Sequence, residues 1–126
     1  MPNPSGRQRL GTFGEGHARR HLEAKGYVFV TANWRRSSGE IDLIMLDGRY
    51  LVFVEVKTRR GDPAGRAEES ISDAQAERLM AMAELYVEEH PETDSLVWRC
   101  DLVAVTLDAS GRVRSVQHYP NAIVTG

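Results

Sequence analysis

Acidic side chains recur at alternate positions in two neighbouring apolar segments of this 126-residue chain. The first segment carries Glu40 and Asp42, and the second carries Glu55, followed two residues later by Lys57. Carboxylate oxygens are the ligands that hard divalent cations prefer, and crowded buried carboxylates either take up protons or recruit a cation. A Mg²⁺ or Mn²⁺ ion so held polarises a phosphoryl oxygen, and a nearby lysine offsets developing negative charge. The pattern therefore predicts phosphodiester hydrolysis.

A hairpin must bring the two segments together. Asp47-Gly48 is typical of a tight turn, since both residue types tolerate positive φ angles. A turn at these residues places Glu40 opposite Glu55. Asp42 then becomes the diagonal neighbour of Glu55, about 7–8 Å from it at the backbone. Because side chains alternate between faces, the three acids and the lysine are predicted to share one face. A structural alternative stays open, since exposed strands also carry Glu and Lys as cross-strand ion pairs.

The surrounding elements are predicted from capping and periodicity. Thr12 and Glu15 have the spacing of a capping box, which predicts a helix from there to Gly26 and a flexible tail over residues 1–10. Capping alone would explain an acid at Glu15, and a contribution to the metal site would explain it equally. Further segments are predicted as a strand (27–30), a polar loop (33–38), a flexible break (61–65), a helix beginning within 70–73, and strands at 96–107 and 113–119.

The order of these elements is α, β, β, β, α, β with a short terminal strand. The second helix then connects two parallel strands, which predicts one α/β domain over residues 1–126, with a mixed central sheet flanked by helices. In the long fourth strand Arg99 and Asp101 fall on one face, where they can pair with each other or support the acidic site from behind its ligands. The single cysteine, Cys100, is predicted to be a buried structural thiol.

Charge is distributed unevenly, although the formal net charge is only −2. The first 66 residues hold twelve Lys or Arg against seven Asp or Glu, and the remainder holds four against eleven. Such asymmetry indicates a nucleic-acid partner on one side, although solvated loop charges would also produce it. The candidate phosphate-binding residues are Arg35, Arg36, Arg59 and Arg60. The four histidines are too scattered along the sequence to form a metal cluster and are expected at the surface. The lack of any membrane-spanning stretch predicts a cytoplasmic protein without membrane contact.

The sequence of the predicted hairpin resembles that of uncharacterised protein family UPF0102 and of the wider PD-(D/E)-x-K nuclease superfamily. The motifs that carry the resemblance are Gly39-Glu40-Ile41-Asp42-Leu43-Ile44 and Phe53-Val54-Glu55-Val56-Lys57. The resemblance runs from Gly14-Glu15 through Asn33 to the segment 99–103. It implies a restriction-endonuclease-like αβββαβ core and Mg²⁺-dependent cleavage of nucleic acid. The similarity to Holliday junction resolvase-type endonucleases implies structured or branched DNA, rather than RNA, as substrate, and a homodimer that matches a two-fold substrate.

The resemblance also implies roles for individual residues. The catalytic set it implies is Asp42, Glu55, Lys57, Glu15 and Gln75, with Asp42, Glu55 and Glu15 as metal ligands and Glu40 as a further candidate ligand. The chain departs from the pattern twice, since Ile41 replaces the proline of the nominal motif and Gln75 stands where relatives often carry a lysine. An uncharged Gln75 leaves a second function open, a non-catalytic nucleic-acid-binding module that keeps the nuclease fold.

Overall fold

The computed structural model describes residues 6–61 and 71–123, with side chains from residue 12 onwards. The elements are α1 (Gly6–Ala24), β1 (Val28–Arg36), β2 (Gly39–Asp47), β3 (Tyr50–Arg60), α2 (Asp73–Glu89), a 3₁₀ turn (Pro91–Thr93), β4 (Val97–Leu107) and β5 (Val113–Tyr119). This is the predicted order, including the terminal strand. Most of the break predicted at 61–65 lies outside the described residues.

The five strands form one mixed sheet in the order β1-β2-β3-β4-β5. Strands β3 and β4 are parallel, whereas the other three neighbouring pairs are antiparallel. The segment that contains α2 connects the two parallel strands, as predicted. The architecture is an α/β fold consistent with a restriction-endonuclease-like core, and it brings the hairpin strand β3 to the centre of the sheet.

Each face of the sheet packs against one helix. On the α1 face, Ala18 and Leu22 of the helix pack against a cluster of β-branched and aliphatic residues such as Val54. On the α2 face, Leu79 and Met82 pack against a second cluster, which includes the buried thiol of Cys100. The remaining core side chains alternate along the central strands; among them are Leu43, Met45, Val52 and Val103 on the α1 face and Ile44, Leu51, Phe53 and Leu102 on the α2 face.

The predicted start of α1 is wrong. The helix begins at Gly6, so residues 6–10 of the expected tail are helical, while residues 1–5 lie outside the described part of the chain. The Arg-Gln-Arg-Leu segment consists of good helix formers, and a capping-box spacing by itself cannot fix a helix boundary. Glu15 therefore lies in the interior of α1. Capping no longer explains an acid at this position.

The predicted turn is also wrong by one residue. Asp47 pairs with Tyr50, so the two-residue turn is Gly48-Arg49, and Gly48 takes the positive φ of 59°. Asp47 stays in β2, where its carboxylate accepts a hydrogen bond from Arg99 at 3.2 Å. The true register differs from the predicted one by two residues. Because side chains alternate with period two, this shift keeps Glu40, Asp42 and Glu55 around one cavity, as predicted. Ile41 is an exception, since strict alternation places it on the face of Leu43 but it packs with Ile44 on the α2 face.

The polar loop predicted at 33–38 is largely strand. Strand β1 continues to Arg36 because its polar end pairs with the start of β2, where Arg35 lies opposite Glu40. Asn33 adopts the left-handed conformation, with φ 53°. As a result Ala32 packs in the α1-side cluster, whereas Trp34, two residues later, packs in the α2-side cluster. The regular alternation of faces is interrupted at the level of the acidic residues.

Candidate metal centre

The acidic residues line a cavity of about 210 Å³ between the sheet and α2. Its walls are formed by Gly39, Glu40, Asp42, Glu55, Gln75, Arg78, Leu79 and Met82. Backbone pairing between β2 and β3 ends at Leu43 and Val54. Side chains beyond this point are no longer confined to one face, so groups from both helices can reach them. The cavity therefore forms where the central pairing of the sheet stops.

Three carboxyl groups from two elements converge at this place. One oxygen each from Glu15, Glu40 and Asp42 lies within 4.8 Å of the other two. Such a set of oxygens fits a hard cation such as Mg²⁺ or Mn²⁺, which binds through a few carboxylates and retains water ligands. Within residues 12–61 and 71–123 no other group of three acidic, histidine or cysteine side chains is so arranged. Glu40, a marginal candidate from the sequence, is one of the three.

Glu15 reaches the cluster because α1 lies very close to β3. A Cβ atom at Gly14 would overlap the hydroxyl of Thr58, so a side chain at position 14 would push the helix away from the strand. The Asn33 side chain hydrogen-bonds to Glu15. Burial raises the pKa of the Glu15 carboxyl, the bond from Asn33 lowers it, and the charges of Glu40 and Glu55 raise it again. The upward shift of the pKa therefore comes mainly from burial, and the neighbouring acids add to it.

Asp42 is the most perturbed acid of the site. Its Oδ2 accepts the backbone N–H of Val56 at 2.8 Å, so the side chain occupies the position of a strand partner beyond the last β2–β3 pair. Burial, followed by the charge of Glu55, raises the pKa of Asp42 to about 8, although the Val56 N–H lowers it. A carboxyl group with so high a pKa in a cavity is typical of a functional site. A divalent cation would stabilise its ionised form.

Glu55 lies in the same cavity but is not one of the three clustered acids. Its Oε1 is ion-paired with Nζ of Lys57 at 3.4 Å, and both side chains are about three-quarters buried. Burial raises the pKa of the Glu55 carboxyl, and the charge of Lys57 partly offsets this. Glu55 therefore lines the acidic cavity with Lys57 bound to it, and the Glu-x-Lys pair is not an exposed surface pair.

Helix α2 contributes two polar side chains to the cavity. Gln75 lines it and also completes a capping box, since its Oε1 accepts the backbone N–H of Ser72 at 3.0 Å while its own N–H donates to the Ser72 hydroxyl. Arg78, which sequence reasoning did not consider for the site, lines the cavity one turn later, and its charge lowers the pKa of Glu55. The spacing of three residues from Gln75 was the signal available for it.

The four candidate phosphate-binding arginines lie in different surroundings. Nε of Arg35 is 3.2 Å from Oε2 of Glu40, which places Arg35 at the acidic cluster. Arg36 instead binds Glu89 through two hydrogen bonds and stacks on Trp34, with its Cζ 4.1 Å from the ring centroid.

The other two arginines, Arg59 and Arg60, are neighbours at the end of β3 and therefore lie on opposite faces of it. Because Thr58 contacts α1, Arg60 lies on the α1 face, and Arg59 shares the face of Glu55 and Lys57. Of the predicted group, only Arg35 has a described ion pair with an acid of the cluster.

A second polar network lies on the α1 face of β4. Arg99 is bonded to Asp101 at 3.1 Å, as predicted, and Asp101 also accepts from His118 at 2.7 Å and from the Asn121 N–H at 2.8 Å. His118 is buried, with 1% of its side chain exposed, so the prediction of a surface residue is wrong for this histidine. A buried carboxylate needs several donors, and a histidine on the edge strand supplies one. The network fastens β5 to β4.

Among residues 6–61 and 71–123, neither helix is both long enough and apolar enough to cross a membrane.

The residues that form this fold and cavity are similar to those of a known family. The model of "Uncharacterised protein family UPF0102" matches residues 14–105, a range that includes the acidic cluster and the Arg99–Asp101 pair. A UPF0102 protein from Roseiflexus castenholzii is 41% identical over 117 residues, which cover 93% of this chain and 94% of the relative. Relatives from Pelotomaculum thermopropionicum and Frankia casuarinae are 42% and 44% identical, over 92% and 90% of this chain and 96% and 94% of their own lengths. The chain therefore belongs to uncharacterised protein family UPF0102.

Proposed function

We propose that this protein is a metal-dependent endonuclease that hydrolyses phosphodiester bonds in structured or branched DNA. The observation that carries the proposal is the convergence of Glu15, Glu40 and Asp42 within 4.8 Å, beside a cavity that Glu40 and Asp42 line together with Glu55. Lys57, which completes the Glu-x-Lys pair, is ion-paired with Glu55 at 3.4 Å. The resemblance to the PD-(D/E)-x-K superfamily supplies the substrate class, and a cytoplasmic homodimer is part of the proposal.

The residues have distinct tasks in this reaction. Glu15, Glu40 and Asp42 would hold Mg²⁺ or Mn²⁺, with Glu55 at the edge of the set. When bound, the ion supplies Lewis-acid polarisation of a phosphoryl oxygen and lowers the pKa of a coordinated water. Lys57, partly buried and held by Glu55, stabilises the negative charge that develops on the phosphate. Arg78 provides a second positive charge from α2, where Gln75 provides none.

A direct test uses purified protein with Mg²⁺ or Mn²⁺ and a panel of linear, flapped and four-way-junction DNA substrates. We expect cleavage that EDTA abolishes and that Asp42→Asn and Lys57→Ala each reduce about 100-fold or more. The exposed Asp94 provides a matched control, because Asp94→Asn makes the same chemical change away from the cavity. Absence of cleavage on every substrate, or cleavage unaffected by both cavity substitutions, would contradict the proposal.

A second candidate is a non-catalytic nucleic-acid-binding module with the same fold. One observation favours it: the Gln75 carbonyl is already engaged by the Ser72 N–H and brings no charge to the cavity. Gln75→Lys separates the two functions. If the native protein binds junction DNA without cutting it, and Gln75→Lys restores metal-dependent cleavage, the binding module is the correct description.

A further inference from the structure

We propose that Arg35 is a metal-responsive phosphate contact: it neutralises Glu40 while the acidic cluster holds no cation, and it turns to the nucleic-acid backbone when a divalent ion binds. This inference rests on the proposed nucleic-acid function and adds regulation of the same site. It assigns to one arginine a role that couples metal binding to substrate binding.

The ion pair of Arg35 is of a kind that is easily exchanged. Its Nε lies 3.2 Å from Oε2 of Glu40, and 69% of the Arg35 side chain is exposed, compared with 33% for Glu40. Exposed ion pairs are weak, since water screens them and ordering a long side chain costs entropy. Arg35 can therefore leave Glu40 at little cost once another cation is available to the carboxylate.

The carboxylate that Arg35 neutralises is also one of the three clustered acids. Glu40 lies within 4.8 Å of both Glu15 and Asp42, measured between single oxygens. A divalent ion among these oxygens attracts the charge of Glu40 and repels the guanidinium beside it. Because a carboxylate has two oxygens, this competition is electrostatic and does not require both cations to occupy one atom. Ion binding weakens the hold on Arg35 in either case.

The released side chain remains next to the cavity. Arg35 lies opposite Glu40 in the β1–β2 pairing, and Glu40 lines the cavity wall. A guanidinium matches the oxygens of a phosphate through parallel N–H donors, so a backbone phosphate that enters the cavity mouth is a suitable partner. The adjacent Arg36 cannot take this role without breaking its two bonds to Glu89.

Coupling of this kind must be reciprocal. If the divalent ion strengthens DNA binding through Arg35, DNA must strengthen ion binding by the same factor. Removing Arg35 should then have two opposite effects. The cluster loses a competing positive charge and binds the ion more tightly, whereas the protein loses the increase in DNA affinity that the ion brings.

The experiment compares the wild type with Arg35→Gln and with Arg36→Gln as the matched control. Arg36 is the next residue and carries the same charge, but its acidic partner Glu89 is not in the cluster. Free Mn²⁺ is titrated by electron paramagnetic resonance without DNA. Binding of a labelled four-way junction is measured in EDTA and in Ca²⁺, a hard cation that takes oxygen ligands.

We expect Arg35→Gln to tighten Mn²⁺ binding about two- to fivefold, a modest factor because the ion pair it removes is exposed. Arg36→Gln should stay within about twofold of the wild type, since Glu89 already neutralises that arginine. The Ca²⁺-dependent gain in junction affinity should be lost in Arg35→Gln and retained in Arg36→Gln.

Mn²⁺ affinity that is unchanged or weaker in Arg35→Gln than in Arg36→Gln would overturn the inference. So would an equal Ca²⁺-dependent gain in both variants. If no form of the protein binds the junction, the proposed function fails, and the role of Arg35 towards phosphate fails with it. The Mn²⁺ titration still decides separately whether Arg35 and the ion compete for Glu40.

Discussion

Replacing Asp42 by asparagine should stabilise the metal-free protein at neutral pH. The folded-state pKa of Asp42 is raised to about 8 from an ordinary value of 3.8, mainly by burial and secondly by Glu55. A raised folded-state pKa means that the contribution of the group to stability is complete below pH 3.8 and is lost as the pH rises towards 8. Between these values the unfolded chain releases a proton that the folded protein keeps. Asparagine has no proton to keep and can still accept the Val56 N–H.

The magnitude follows from this interval. Each pH unit between the two pKa values lowers the free energy of unfolding by about 1.4 kcal/mol, so the loss at pH 7 approaches about 4 kcal/mol. Adjacent acids of the cavity share protons with Asp42, which reduces the effect. We therefore expect Asp42→Asn to be more stable than the wild type by about 2–4 kcal/mol at pH 7, and by about 1–2 kcal/mol at pH 5.

Urea unfolding in EDTA, followed by the fluorescence of Trp34 and Trp98, measures this difference at several pH values. Asp94→Asn is the control and should give the pH dependence of the wild type, because Asp94 is exposed. Added Mn²⁺ should stabilise the wild type by an amount that grows with the logarithm of its concentration above the dissociation constant, and should have little effect on Asp42→Asn. The assignment of a raised pKa to buried Asp42 would be refuted if Asp42→Asn were less stable than the wild type at pH 7. It would also be refuted if the difference in stability between the two proteins did not grow with pH.

Three further predictions concern other parts of the molecule. Gly14→Ala should destabilise the protein by about 1–2 kcal/mol, because overlap of the new methyl group with Thr58 outweighs the gain in helix propensity. Gly16→Ala should stabilise the protein, because a methyl group there meets only the flexible end of an arginine side chain. Thermal unfolding of both variants distinguishes the effect of packing from that of helix propensity. Asp101→Asn should cost about 3 kcal/mol at pH 7, since it leaves buried donors without their charge partner. Burial would raise the pKa of Asp101, but its histidine, backbone and arginine donors hold that pKa below the usual range. The stability that the Asp101 carboxylate contributes should therefore disappear as the pH falls below about 4. A difference in stability between the wild type and Asp101→Asn that persists undiminished at low pH would contradict this role of the carboxylate. Arg78→Gln should weaken junction binding and reduce its salt dependence by about one phosphate contact, while Arg78→Lys should keep most of the affinity; an unchanged salt slope in Arg78→Gln would exclude contact with phosphate.

Much of the fold could be predicted because the relevant signals are local. Periodicity and turn residues predicted the order of elements, the parallel connection through α2 and the pairing of Arg99 with Asp101. The errors lie where local signals compete. The capping-box spacing at Thr12 was mistaken for a helix start, although the helix formers before it continue the helix to Gly6. The polar segment after Asn33 was assigned to a loop, although pairing with β2 makes it an edge strand.

The residues of the site also divide into those that local sequence signals predict and those that depend on tertiary packing. Asp42, Glu55 and Lys57 could be found from sequence, because strand alternation and a short hairpin bring them together without reference to the rest of the chain. The same alternation placed Glu40 on this face and made it a further candidate ligand, but neither its meeting with Glu15 nor the contribution of Arg78 could be found in this way. Both depend on where the β2–β3 pairing ends and on how α2 crosses the sheet, and these features follow from packing between distant segments.

The sequence by itself determined the residue types of an acidic site, the strands that carry most of them and the α/β order of the chain, since these depend on nearest neighbours and on period-two alternation. Only the tertiary structure decided which carboxylates meet, because Glu15 reaches the cluster through the close approach of Gly14 to Thr58, a contact between α1 and β3. It also decided the protonation of the site. The pKa of Asp42 rises to about 8 because the assembled fold buries the group beside other acids, and no stretch of sequence holds that combination of burial and charge.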